Sequence, residues 1–176
     1  MMPLYCRLLG AQFDQLPDQV RDLHNVMSAA RWSGRADVVR GSSIAARLIA
    51  TLFGLPPEGS DQALTVTFEP SGDAEVWTRA FGRKRFVSTQ RAIGHELHET
   101  VGLCTLHMSL LASGEGLALK VKAARIVGVP LPQFLLPSIR TLENERGGRY
   151  AFDVEAAIPA FGRIVHYRGW LARDAS

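Results

Sequence analysis

The chain has 176 residues, 47% of them hydrophobic and 21% charged. That composition excludes a disordered chain, a collagen-like fibre and a disulfide-stapled miniprotein, and the length suits one domain with a substantial core. Twenty Lys+Arg against 17 Asp+Glu leave a formal charge of +3, with arginines spread from Arg7 to Arg173 and acidic residues among them. A nucleic-acid binder gathers such charge into a stripe with interleaved aromatics. Only Arg83, Lys84 and Arg85 cluster, beside Gly82. No nucleic-acid partner is expected.

The two cysteines, Cys6 and Cys104, match no metal or redox spacing. They read as reduced, small apolar residues of a cytoplasmic chain. The first ten residues lack the apolar run and cleavage site of a signal peptide. No stretch reaches the roughly 18 continuous apolar residues of a membrane span. The expectation is a cytoplasmic protein.

In chain order, Leu4 to Leu9 reads as a short helical turn ending at Gly10. Phe13, Leu16, Val20, Leu23 and Met27 recur at spacings of three and four, which predicts a helix from about Pro17 to Met27. A proline is tolerated in the first turn of such a helix. A short extended piece over Arg35–Arg40 follows Gly34, and Gly41-Ser42-Ser43 supplies a break and an N-cap candidate. The second helix runs from Ile44 to Phe53 and is stopped by Gly54 and Pro56-Pro57. Ile44, Leu48, Ile49, Leu52 and Phe53 form a wide apolar arc on it, expected to bury against a sheet.

From Ala63 the period changes to two: Leu64, Val66 and Phe68 alternate with Thr65 and Thr67. Glu75–Phe81, Arg85–Ala92, Leu97–Val101, Thr105–Leu111 and Leu117–Ala123 follow, separated by glycine-bearing turns. Pro130, Pro132 and Pro137 mark a connection too proline-rich for a central strand. Ile139–Glu145, Tyr150–Ile158 and Ile164–Leu171 complete the run. So many strands in one open sheet would leave two edges and a large apolar face uncovered. The expected fold is therefore α+β and mainly antiparallel β. It is a curled meander or β-barrel of about nine to ten strands, with the N-terminal helices capping or plugging it. One domain spans 1–176, with helices mainly in 1–57 and strands mainly in 63–171.

Several residue groups carry a family resemblance. They are Glu75-x-Trp77-x-Arg79-x-Phe81-Gly82, Phe86-x-Ser88, Pro130-Leu131-Pro132, Phe152-Asp153-Val154 and Tyr167-x-Gly169-Trp170-Leu171, with Leu4-Tyr5-x-x-Leu8-Leu9-Gly10 and Phe68-Glu69-Pro70 fitting too. The chain resembles a bacterial family of unknown function. Its members stand free or form the C-terminal partner of saccharopine-dehydrogenase-like reductases. The resemblance implies a link to small-molecule metabolism and a possible reductase partner, and it brings no catalytic residues.

His95-Glu96-Leu97-His98-Glu99 begins like an HExxH zinc motif, but position 99 is Glu. On a strand His95 and His98 point to opposite faces, and no further His or Cys has a completing spacing. No metal is expected. Nor is a cofactor, because no GxGxxG dinucleotide fingerprint is present, and the lack of a GxSxG elbow leaves no nucleophile arrangement standing out. More telling are polar residues on apolar faces: Arg79 between Trp77 and Phe81, Glu99 between Leu97 and Val101, and Tyr167 between Val165 and Leu171. A charge inside a barrel is costly unless paired, so Arg79 and Glu99 are expected to meet there. They then either orient a ligand or form a buried structural pair.

Three functions remain open. The first is binding of an apolar small molecule or acyl chain in a barrel cavity lined by Trp77, Arg79, Phe81, Phe86, Glu99, Phe152, Tyr167 and Trp170. The second is an enzyme of the same architecture, a cyclase or isomerase that holds a reactive conformer, with Glu99, Arg79 and Tyr167 as catalytic candidates. The third is an accessory module docking on a reductase through the apolar connection Val127–Pro137.

Overall fold

The structure, a computed structural model, describes residues 2–174. Its strands are β1 (Ala30–Arg40), β2 (Gly59–Ser71), β3 (Ala74–Phe81), β4 (Lys84–Ile93), β5 (Glu96–Val101) and β6 (Cys104–Ser113). They continue as β7 (Gly116–Ile126), β8 (Val129–Pro130), β9 (Ser138–Arg146), β10 (Arg149–Ile158) and β11 (Gly162–Arg173). Each long strand pairs antiparallel with its neighbours, β1 with β11 and β6 with β7, so ten strands close a barrel. The two-residue β8 is an extra strand on β7. Closure pairs every edge of the ten strands. That removes the exposed edges an open meander would have.

Alternation decides what lies inside. Leu64, Val66 and Phe68 of β2 are buried, as are Leu106 and Met108 of β6, while the residues between them are more exposed. The seam between β1 and β11 is unusually close. A Cβ at Gly34 would sit 1.8 Å from the Trp170 carbonyl oxygen, and one at Gly169 would sit 2.0 Å from that of Arg35. Only glycine fits at both positions. The alternation carries one correction with it. Val165, Tyr167 and Leu171 turn inward, so Trp170 stands on the outer face, where the Arg149 guanidinium lies 4.2 Å from its ring.

The helices are α1 (Leu4–Leu9), α2 (Asp18–His24) and α3 (Ile44–Leu52), with 3-10 turns at Gly10–Gln15 and Gln133–Leu135. The helix expected over Pro17–Met27 ends at His24, three residues early. The extended piece expected over Arg35–Arg40 is the second half of the longer β1. The antiparallel order puts the N-terminal segment and the turns at 72–73, 94–95, 114–115 and 147–148 at one end of the strands. At the other end are α3, the turns at 82–83, 102–103 and 159–161, and the connection 127–137.

The apolar arc expected to bury on α3 does so only in part: Ile49 and Phe53 pack inward, half-buried, and the other three do not. Ile44, Leu48 and Leu52 are 79, 66 and 79% exposed, and Ala46 and Ala50 are the buried residues, packed with Ile164. Gly41 explains the choice: a Cβ there would lie 2.8 Å from the Ala46 Cβ. A backbone approach this close admits only small side chains on the inner helix face. Ile44, Leu48 and Leu52 are left on the outside.

Candidate functional site

The lumen encloses a cavity of about 250 Å³ that runs between the two ends of the strands. Tyr5, Leu23, Trp77, Gln90 and Glu143 line it near the N-terminal segment; Ile49, Phe53, Leu55, Leu131, Leu135 and Pro137 line it at the other end. Between them stand aromatic walls. Phe81 stacks on Phe86 at 6.2 Å, and Tyr167 meets Phe81 and Phe152 edge-on or tilted at 6.0 Å. Trp77, Arg79, Phe81, Phe86, Glu99, Phe152 and Tyr167 all reach this cavity, and Trp170 alone of the expected set does not.

Arg79 and Glu99 come from β3 and β5, two strands apart, and meet inside at 3.3 Å. β4 lies between them and supplies the remaining partners. Arg79 Nη1 donates to Ser88 Oγ at 2.8 Å, and Gln90 Nε2 donates to Glu99 Oε1 at 3.2 Å. The Arg79 guanidinium also stacks between the Trp77 and Phe86 rings, at 4.8 and 5.2 Å from their centroids. Burial is the largest single influence and opposes its charge, but the facing Glu99 carboxylate and the surrounding Tyr167, Tyr5 and Tyr150 together outweigh it and leave Arg79 above its ordinary pKa.

The N-terminal segment extends this network. Tyr5 Oη donates to Gln90 Oε1 at 3.0 Å, and the Leu4 N–H donates to Glu75 Oε1 at 3.1 Å. Trp77 Nε1 donates to the other oxygen of Glu75 at 3.2 Å. Burial raises the Glu75 pKa although both of these bonds favour its anion. A second buried hydrogen-bonded pair lies alongside. His24 Nε2 of α2 is 2.5 Å from Glu143 Oε2 of β9, and its ring stacks at 3.8 Å on Tyr5. His24 Nδ1 is buried without a partner among the described residues. With Nε2–H donating to Glu143, that atom is a bare lone pair, which is cheaper to bury than an orphan N–H.

Tyr5 and Tyr150 are buried and Tyr167 half-buried around these groups, and all three tyrosines of the chain are held protonated. Burial is the first cause for each. It pushes Tyr167 up to about 12, and lifts Tyr5 and Tyr150 well above the usual phenol range, with Glu143 adding to both. The cavity therefore offers hydrogen-bond donors from neutral phenols, one paired guanidinium and two carboxylates, Glu99 and Glu143. The rest of its wall is apolar.

Tyr5, His24, Glu75, Gln90 and Glu143 are not among the site residues expected from the sequence, although Tyr5 and Glu75 belong to the groups that carry the family resemblance. A weak signal existed for Glu143, since Ile139, Thr141 and Glu143 share a face of β9 and all three line or approach the lumen. His98 faces away from the lumen, and β6 places His107 directly opposite it, so, against the expectation from sequence spacing, a second histidine lies within reach.

No curated protein matches the sequence. A solved structure of a DUF3598-family protein of unknown function from Nostoc punctiforme PCC 73102 is similar at a TM-score of 0.48 and 12% identity. The match covers 82% of this chain and 47% of that one, so the chain spans less than half the length of that relative. Residues 16–171 match a domain of unknown function, DUF4166, and the chain belongs to the DUF4166 family.

Proposed function

We propose that this protein binds an apolar small molecule or acyl chain inside the barrel, its polar end directed at Arg79, Gln90 and Glu99. The observation that supports this is the composition of the lumen, an apolar and aromatic wall interrupted at a few points by polar groups, of which Arg79, Gln90 and Glu99 converge. Ligand sites are built in this way, apolar for affinity and polar at a few points for orientation. A cavity of about 250 Å³ favours a compact ligand, since typical pockets run from roughly 300 to 1,000 Å³. The N-terminal helices act as the cover at one end, through their bonds to Glu75, Gln90 and Glu143.

The test is a titration with cis-parinaric acid, whose emission rises in apolar surroundings, followed by displacement with fatty acids of graded length. Saturable binding at one site per chain is expected. Val154 lines the cavity, so Val154→Trp fills it and should abolish the signal while the protein still melts cooperatively. Equal binding by the filled variant would overturn the proposal.

A second reading, catalysis on the bound molecule, draws support from Glu143, which faces the cavity and is backed by His24. Such a barrel would hold a flexible substrate in a cyclising or isomerising conformer while a carboxylate moves the proton. Recovery of bound ligands chemically unchanged after long incubation would count against it.

A further inference from the structure

The geometry points to a divalent transition-metal site on the outer wall of the barrel, formed by Glu96, His98 and His107. A two-residue turn at 102–103 joins β5 to β6, so Val101 and Cys104 form the closing pair of the hairpin. Pairs then alternate, and Thr100/Thr105 and His98/His107 fall on the type whose side chains approach most closely. The hydroxyls of Thr100 and Thr105 lie 3.0 Å apart, and the two imidazoles stack at 3.8 Å. Glu96 shares their face two residues earlier, its Oε2 being 3.7 Å from His98 Nε2. One ligand atom from each residue lies within 4.8 Å of the others. Two imidazoles and a carboxylate suit zinc, cobalt or nickel rather than calcium or magnesium, and three protein ligands leave one position open.

Lys122 Nζ stands 3.3 Å from Glu96 Oε1 and competes with the metal for that carboxylate. The competition gives the experiment its second arm. Cobalt(II) is titrated into the protein and followed by its visible absorption, then displaced with zinc. One equivalent should bind. His98→Ala and His107→Ala should each weaken binding by more than the roughly tenfold that an outer-shell change costs, whereas Lys122→Met should tighten it. His95→Ala should change nothing, because His95 lies in the turn before β5. Absence of cobalt binding, or binding that survives loss of both histidines, would overturn the assignment.

A separate observation supports a second inference, which rests on the ligand-binding proposal above. We propose that the end of the barrel bearing α3 docks on an anionic lipid bilayer. Exposed large apolar residues gather at that end: Ile44, Leu48 and Leu52 on α3, then Leu103, Phe134 and Phe161 on three other connections. They encircle the part of the cavity lined by Phe53, Leu131 and Leu135. Arg47, Arg83, Lys84 and Arg85 stand exposed on the same rim, with no ion-pair partner among the described residues. Cations flanking an apolar fringe complement an anionic membrane surface, where long side chains keep their charge at the headgroups. A bilayer fits better than a protein here because it is also the reservoir from which an apolar ligand would enter without crossing water.

Sedimentation with phosphatidylcholine vesicles, alone and with about one third phosphatidylglycerol, tests this. Binding should require the anionic lipid, weaken with salt, and be lost in Leu48→Asp and in the triple change Arg83→Glu, Lys84→Glu, Arg85→Glu. The same variants should still take up cis-parinaric acid, which separates failure of docking from failure of ligand binding. No sedimentation of the wild type, or sedimentation unchanged in the variants, would overturn the proposal. So would a soluble protein partner that covers this rim and excludes vesicles.

Discussion

His24 and Glu143, 119 residues apart in sequence, lie 2.5 Å from one another and tie the end of α2 to the inner face of β9. The pair is almost wholly buried, with side-chain exposures of 0 and 8%. Removing one partner strands a polar or charged group in the core. His24→Leu is expected to cost about 3–5 kcal/mol in urea unfolding, as breaking a buried pair does. The double change His24→Leu, Glu143→Leu should recover much of that loss. Equal costs for the single and double variants would show that the two residues do not act as a pair.

Arg79 and Glu99 carry a similar expectation inside the cavity. Arg79→Met leaves the Glu99 carboxylate without its cation and should destabilise by about 3–5 kcal/mol. Adding Glu99→Met should restore much of it. The functional readout separates two roles for the pair. If the stable double variant no longer holds a bound head group, as read by weaker displacement of cis-parinaric acid by fatty acids, the pair orients ligand. If displacement is unchanged, the pair only supports the barrel, and the orienting role assigned to it here is wrong.

The two faces of α3 predict opposite outcomes. Leu48 is exposed, so Leu48→Ala should change stability by less than about 0.5 kcal/mol. Ala50 is fully buried against Ile164, so Ala50→Leu should cost about 1–3 kcal/mol through overpacking. Thermal melts of the two variants check this directly. A large loss in Leu48→Ala would mean that the helix packs the other way round.

Base titration tests the phenols. Burial raises the folded-state pKa of Tyr5, Tyr150 and Tyr167, so the folded state favours the protonated forms. Their contribution is fully present below the unfolded phenol pKa of about 10. It is lost as pH rises through the folded values, about 12 for Tyr167. Tyrosinate absorbance should therefore stay absent at about pH 10.5 in the folded protein and rise together with loss of circular dichroism. Phenols that titrate near pH 10 without unfolding would contradict the buried arrangement.

Much of this architecture is legible in the sequence because it is periodic. Alternation in Leu64–Phe68 and in Glu75–Phe81, broken at glycine turns, predicts strands with the right inward face, and the right length for β3, whereas β2 runs well beyond the alternation, from Gly59 to Ser71. That is why Arg79 and Glu99 stand out: each interrupts an apolar face. The rest depends on contacts that local period does not encode. His24 reaches Glu143, and Tyr5 reaches Gln90, only because the N-terminal segment folds back onto the strands. On α3, amphipathicity reveals an apolar stripe without saying what covers it. Ala46 and Ala50 take the buried face because the backbone passes too close there for leucine. Trp170 lies outside for a simpler reason: its aromatic character suggests the lumen, but the alternation that puts Tyr167 and Leu171 inside puts Trp170 outside.

The central claim, an apolar ligand in the barrel, is tested most directly by native mass spectrometry of the protein taken straight from cells. The account predicts a population heavier by one discrete adduct per chain, released into organic solvent on denaturation as a compound with an apolar body and one polar end. Val154→Trp, prepared alongside, should run at its bare mass. A wild-type protein that runs only at its bare mass, and still does so after incubation with fatty acids, would contradict the claim.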